Sequence, residues 1–109
     1  MNDSFIQVFV SCKSSQQAKT MVDSLLKDQI IACAQIVPQV ESFYRWQGQI
    51  ETAEECLLLL KSTAAQFTCI EQTIKKLHSY QVPEIIAVPL VNGSIEYLNW
   101  INEQIKPQD

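Results

Sequence analysis

Cys12 and His78 are the two side chains whose types best suit metal chemistry, and His78 is the sole histidine in the chain. A thiolate and an imidazole together suit Cu(I), Cu(II) or Zn(II). Two ligands leave coordination incomplete, so an ion held here would need more from a neighbouring subunit or water. A second reading of the same residues stays open. In it Cys12 is a small buried residue, and His78 is a helix C-terminal cation favoured by the macrodipole. Glu54 and Glu55 could also offer oxygens, but adjacent residues of an extended segment point to opposite faces and cannot chelate together. They read more simply as charged edge residues that discourage wrong pairing.

Other chemistry finds little support. The histidine has no nucleophile partner visible in sequence. There is no G-x-S-x-G, Walker loop or G-x-G-x-x-G, and the chain holds only two glycines, Gly48 and Gly93. A phosphatase site in the loop after the first strand would want an arginine, and that loop has Lys13. No enzyme activity and no organic cofactor are expected. Tyr44, Trp46, Tyr80, Tyr97 and Trp100 could instead line a small-molecule cleft between subunits, or serve as core and interface packing.

Composition narrows the partners. A net charge of −4, a pI near 4.9 and a single arginine, Arg45, argue against nucleic acid, whose binders cluster Lys and Arg. No apolar run approaches the roughly 20 residues that span a bilayer, and no leader pattern precedes the first strand, so neither membrane insertion nor export is expected. A cytoplasmic protein follows as the expectation. The 109 residues, 47% hydrophobic, suit one domain, 1–109. Four cysteines, Cys12, Cys33, Cys56 and Cys69, form no C-x-x-C pair and read as reduced thiols.

The elements that must position these residues follow from periodicity. Residues 5–10 (FIQVFV) read as a buried strand, and Lys13-Ser14-Ser15 supplies a helix N-cap. Ala18, Met21, Val22, Leu25 and Leu26 share one face of a helix that ends near Gln29. Residues 30–46 are extended, with a bulge or edge position at Pro38. Gln47-Gly48 makes the turn, and residues 50–61 return as a strand. A second helix carries Phe67, Ile70, Ile74 and Leu77, with Thr63 as a candidate cap, and Tyr80 to Pro83 breaks it. Residues 84–91 (EIIAVPLV) form a fourth strand, and a last helix carries Ile95, Leu98, Ile101 and Ile105 on one side. The order β-α-β-β-α-β plus a terminal helix predicts an α+β, ferredoxin-like antiparallel sheet with both main helices on one face. In that plan Cys12, His78 and Glu84 share one rim with the hairpin tip, and Cys33 lies at the opposite end.

The hairpin is long for its domain. A strand of this length spans about 40 Å at 3.3 Å per residue, against a radius of gyration near ~13 Å for a chain of this size. It is also apolar on both faces in places, and the two main helices can cover only one face of the sheet. The other face and the projecting edge therefore call for a partner surface, a second copy of the chain, unless the last helix folds across them.

Several segments are more specific than this. Ala32-Cys33-Ala34-Gln35, Ser42-Phe43-Tyr44-Arg45-Trp46-Gln47-Gly48, Leu60-Lys61-Ser62, His78-Ser79-Tyr80-Gln81-Val82-Pro83-Glu84 and Tyr97-Leu98-Asn99-Trp100 resemble, in order and spacing, the CutA divalent-cation-tolerance proteins. The resemblance covers nearly the whole chain. It implies a ferredoxin-like protomer, a homotrimer similar in architecture to the PII signalling proteins, and a role in tolerance of divalent cations such as copper. With it, Cys12 and His78 are the expected metal ligands. The chain departs from the family pattern at Lys13-Ser14-Ser15, at Gln35, at Ser79 where proline is frequent, and at Leu77 where some bacterial members carry a further histidine.

Overall fold

The computed structural model describes residues 5–107. Strand β1 (Phe5–Cys12) alternates half-buried and buried residues along its whole length, so Ile6, Val8, Val10 and Cys12 face the core. Helix α1 (Ser15–Lys27) begins at Ser14, whose hydroxyl accepts from the Gln17 N–H, as the serine pair predicts. It buries Ala18, Met21 and Leu25.

Strand β2 (Cys33–Trp46) and strand β3 (Gln49–Thr63) form the hairpin. Their register breaks between Val37 and Val40, beside Pro38, where Gln39 adopts φ +59. This is the bulge that a proline inside a strand predicts. At the tip Gln47 and Gly48 both have positive φ, +52 and +80. Two successive left-handed residues match the twist of a two-residue hairpin turn.

A single 3-10 turn over Ala64–Gln66 leads into α2 (Phe67–Leu77). Thr63 precedes that turn but makes no side-chain cap bond, contrary to expectation. Strand β4 (Ile85–Pro89) is shorter than the sequence suggests, and α3 (Ile95–Gln104) starts at Ser94, whose hydroxyl accepts from the Tyr97 N–H. On α3 only Ile101 is fully buried, and Ile95 is exposed.

The sheet order is β2-β3-β1-β4, all antiparallel, as the ferredoxin-like plan requires. One face packs on α1 and α2 through Val8, Val10, Leu58, Leu60, Met21, Leu25, Ile70 and Ile74. Because Ala34 and Ile36 turn toward that core, Cys33 and Gln35 turn to the other face. Tyr97 meets Cys33 at 3.4 Å, which places α3 over this face at the end where β2 begins. The rest of the open face remains uncovered: Ile86 and Val88 on β4 are exposed, as are Tyr44 and Trp46 on the hairpin, while Phe43 and Ile50 are exposed on the hairpin's other face.

The hairpin projects. Strand β1 pairs with β3 only from Thr63 to Cys56, so the pairs from Val40↔Glu55 to Trp46↔Gln49 have no third strand beside them. The molecule accordingly measures 44 × 26 × 22 Å.

Candidate functional site

The rim predicted from topology is present, but its side chains are sorted by strand parity. Strand β1 runs on to Cys12, so Cys12 falls on the same face as Val8 and Val10, fully buried, while Ser11 falls on the open face. The Cys12 thiol donates to the Ser14 carbonyl at 3.6 Å, and its cross-strand neighbour is Cys56, which lies 3.4 Å from the Ser15 hydroxyl. Burial, and then the nearby Cys56, push the Cys12 thiol up to about 11 from its ordinary 9.0. None of the four cysteines is in a disulfide.

His78 sits where α2 ends and uses both ring nitrogens. Nε2 lies 2.7 Å from the Ser11 carbonyl and Nδ1 lies 3.1 Å from the Tyr80 amide nitrogen. A carbonyl can only accept and an amide N–H can only donate, so the ring is the Nε2–H tautomer, with its N–H and its one acceptor lone pair both committed. It is a latch that ties the end of α2 to the end of β1. The imidazole also stacks obliquely on Tyr80, with centroids 4.7 Å apart.

Cys12 and His78 thus do not fit a shared ion as they stand. One is a neutral, buried thiol and the other has no free lone pair. Among the described residues, no group of three or more His, Cys, Asp or Glu side chains is placed to hold a metal. Cys33 lies at the far end of the sheet with Tyr97, as topology predicts.

On the open face the structure brings together residues that periodicity alone did not join. Glu55 shares that face with Val40, Ser42, Tyr44 and Trp46, because directly paired residues of an antiparallel ladder point the same way. It is only 7% exposed, and its Oε2 accepts a 2.5 Å bond from the Tyr80 hydroxyl. Burial and that carboxylate push the Tyr80 phenol far up, so it stays protonated and donates. Around this pair lies a cleft of about 540 Å³. Tyr44 and Trp46 of β2, Tyr80 and Val82 of the segment after α2, and the carboxylates Glu55 and Glu84 line it, with Ser11 and Ser42 adding hydroxyls. Tyr97 and Trp100 stay apart and stack on each other at 5.6 Å.

Glu55, which reads in sequence as a charged edge residue, is instead buried against Tyr80. The signal was available: Leu60, Leu58 and Cys56 set the core parity of β3, which sends Glu55 to the open face, where a buried carboxylate needs a donor.

The fold is that of a ferredoxin-like α+β protein with one covered and one largely open sheet face, and the cleft lies where the projecting hairpin leaves the sheet. The chain belongs to the CutA1 divalent ion tolerance protein family, whose description matches residues 6–104. It is 41% identical over 96 residues to the divalent-cation tolerance protein CutA of Thermus thermophilus, covering 88% of this chain and 93% of that one. A solved Thermus thermophilus structure, described as a divalent cation tolerance protein, superimposes with a TM-score of 0.91 at 38% identity, covering 94% of this chain and 99% of that one. The rice protein named CutA 1, chloroplastic, is 33% identical over 101 residues, 93% of this chain but only 57% of its own length.

Proposed function

We propose that the chain acts in divalent-cation tolerance as a cytoplasmic homotrimer and catalyses no reaction. The observation that carries the assembly is the open sheet face with the projecting hairpin. Ile86 and Val88 on the sheet, and Phe43, Tyr44, Trp46 and Ile50 on the hairpin, are too many exposed apolar side chains for a solitary protein of this size. Hairpin and sheet face are different surfaces of one chain. A hairpin of one copy laid on the sheet of the next is a head-to-tail contact, which must close into a ring to avoid a filament. The family resemblance supports a ring of three. No helix among the described residues is long and apolar enough to cross a membrane.

Copper, or a similar divalent ion, is the partner that tolerance implies. For Cys12 and His78 to hold it, His78 must release the Ser11 carbonyl and the thiol must lose its proton, so these two make at best a weak site. Titration of copper and zinc into the reduced protein tests this. Cys12→Ser and His78→Ala are expected to leave stoichiometry and affinity unchanged. A loss of about tenfold or more in either would restore the pair as ligands.

The cleft favours a second reading, a PII-like trimeric scaffold that holds a small metabolite beside the hairpin. Its volume falls within the range of about 300–1,000 Å³ typical of ligand sites, and it joins aromatic walls to a few convergent polar groups.

A further inference from the structure

We infer that the cleft between the hairpin and the segment after α2 is a site for a small organic cation, an alkylammonium or quaternary ammonium group. This rests on the second reading above, that the cleft holds a metabolite, and names the chemical class. Its lining contains two carboxylates, Glu55 and Glu84, and no lysine or arginine. Four aromatic residues, Phe43, Tyr44, Trp46 and Tyr80, also line it. Aromatic faces carry negative potential and attract a cation most strongly where water is excluded.

Glu55 supplies the independent observation. It is more than nine-tenths buried, and its Oε2 accepts from the Tyr80 hydroxyl. Among the described residues no ion pair joins it to a basic side chain. Burying a carboxylate without a counter-charge is costly, and a cation in the cleft would offset that cost. Tyr80 holds the carboxylate in place for it. An anionic metabolite would meet two carboxylates and no counter-charge. A divalent metal ion would find too few oxygens, since one Glu55 oxygen is engaged and aromatic carbon forms much of the wall.

The experiment titrates three probes of similar shape into the assembled protein: choline, its uncharged carbon isostere 3,3-dimethylbutan-1-ol, and 3,3-dimethylbutyrate. Calorimetry gives affinity and stoichiometry, and the fluorescence of Trp46, compared with that of Trp46→Phe, places the probe. Choline is expected to bind once per chain, at least about tenfold more tightly than the alcohol, with no uptake of the acid. Glu55→Gln keeps an oxygen that accepts from Tyr80 and is expected to lose that advantage for choline while leaving the alcohol unchanged. Glu84→Gln, at an exposed position, carries the same test should Glu55→Gln fail to fold, and Glu41→Gln, on β2 but outside the cleft lining, serves as the control. Equal or tighter binding of the alcohol or the acid would overturn the cation assignment while leaving a metabolite cleft in place. Uptake of none of the three would overturn both.

Discussion

His78 joins two parts of the chain through both ring nitrogens, and its removal should therefore be felt as stability before anything else. His78→Ala deletes the bond to the Ser11 carbonyl and leaves the Tyr80 N–H without its acceptor. The expected cost is about 1–3 kcal/mol, read as a lower urea midpoint at fixed chain concentration, and an unchanged midpoint would show that the latch carries no stability. Cys12 gives a prediction in pH. Its thiol is neutral in the fold up to about 11 but ionises near 9.0 when unfolded, so above 9.0 the unfolded state binds fewer protons than the folded one. The stabilising contribution is complete below 9.0 and falls away as pH rises toward 11. Alkylation followed by mass spectrometry should leave Cys12 unmodified in the folded protein and modify it on unfolding; modification at the unfolded rate would contradict its burial. Sequence brought Cys12 and His78 to one rim correctly. It ended the first strand at Val10, and two more residues of the same alternation would have turned Cys12 inward and Ser11 outward. The committed ring nitrogens of His78 could not be read, because its partners are backbone groups whose positions depend on the packing of α2.

At the scale of elements, the hairpin is the most legible part of the molecule. Gln47-Gly48 marks the turn, Pro38 marks the bulge, and both fall where backbone sterics require. Gly48 has φ +80 with nothing within 4 Å of an added Cβ, so Gly48→Ala would suffer backbone strain and no clash. A cost of about 1–2 kcal/mol is expected from thermal or urea unfolding, and a neutral result would mean the tip can change turn type freely. Less legible were the ends of elements. Strand β4 stops at Pro89, opposite Ile6 near the start of β1, although its apolar run continues to Val91 and the Leu90 N–H still donates to the Phe5 carbonyl. The α2 start shifted from a Thr63 cap to a 3-10 turn over Ala64–Gln66, where Gln66 is buried and its side-chain N–H donates to the Lys106 carbonyl. That contact spans distant parts of the chain and leaves no local pattern. The same holds for Tyr80 and Glu55, which meet only because the segment after α2 folds back under the hairpin.

For the whole molecule, the central consequence of the fold is asymmetry between two sheet faces. The helix-covered face is closed by a continuous apolar core, while α3 covers only one end of the other. A two-stranded ribbon without a third strand is marginal in water, and the stretch from Val40↔Glu55 to Trp46↔Gln49 is such a ribbon. Both features are satisfied together if each hairpin lies on a neighbour's open face, and the cleft lined by Tyr44, Trp46 and Glu55 would then sit beside the subunit boundary. Length and two-sided hydrophobicity make the projecting hairpin legible in the sequence; the partial reach of α3 did not show there, because the spacing of Ile95, Leu98, Ile101 and Ile105 describes a face without saying what it meets. Assembly is the claim on which the rest depends. Light scattering on the purified chain at micromolar concentration is expected to give about three times the 12.4 kDa mass of one subunit. A mass of one subunit would contradict it.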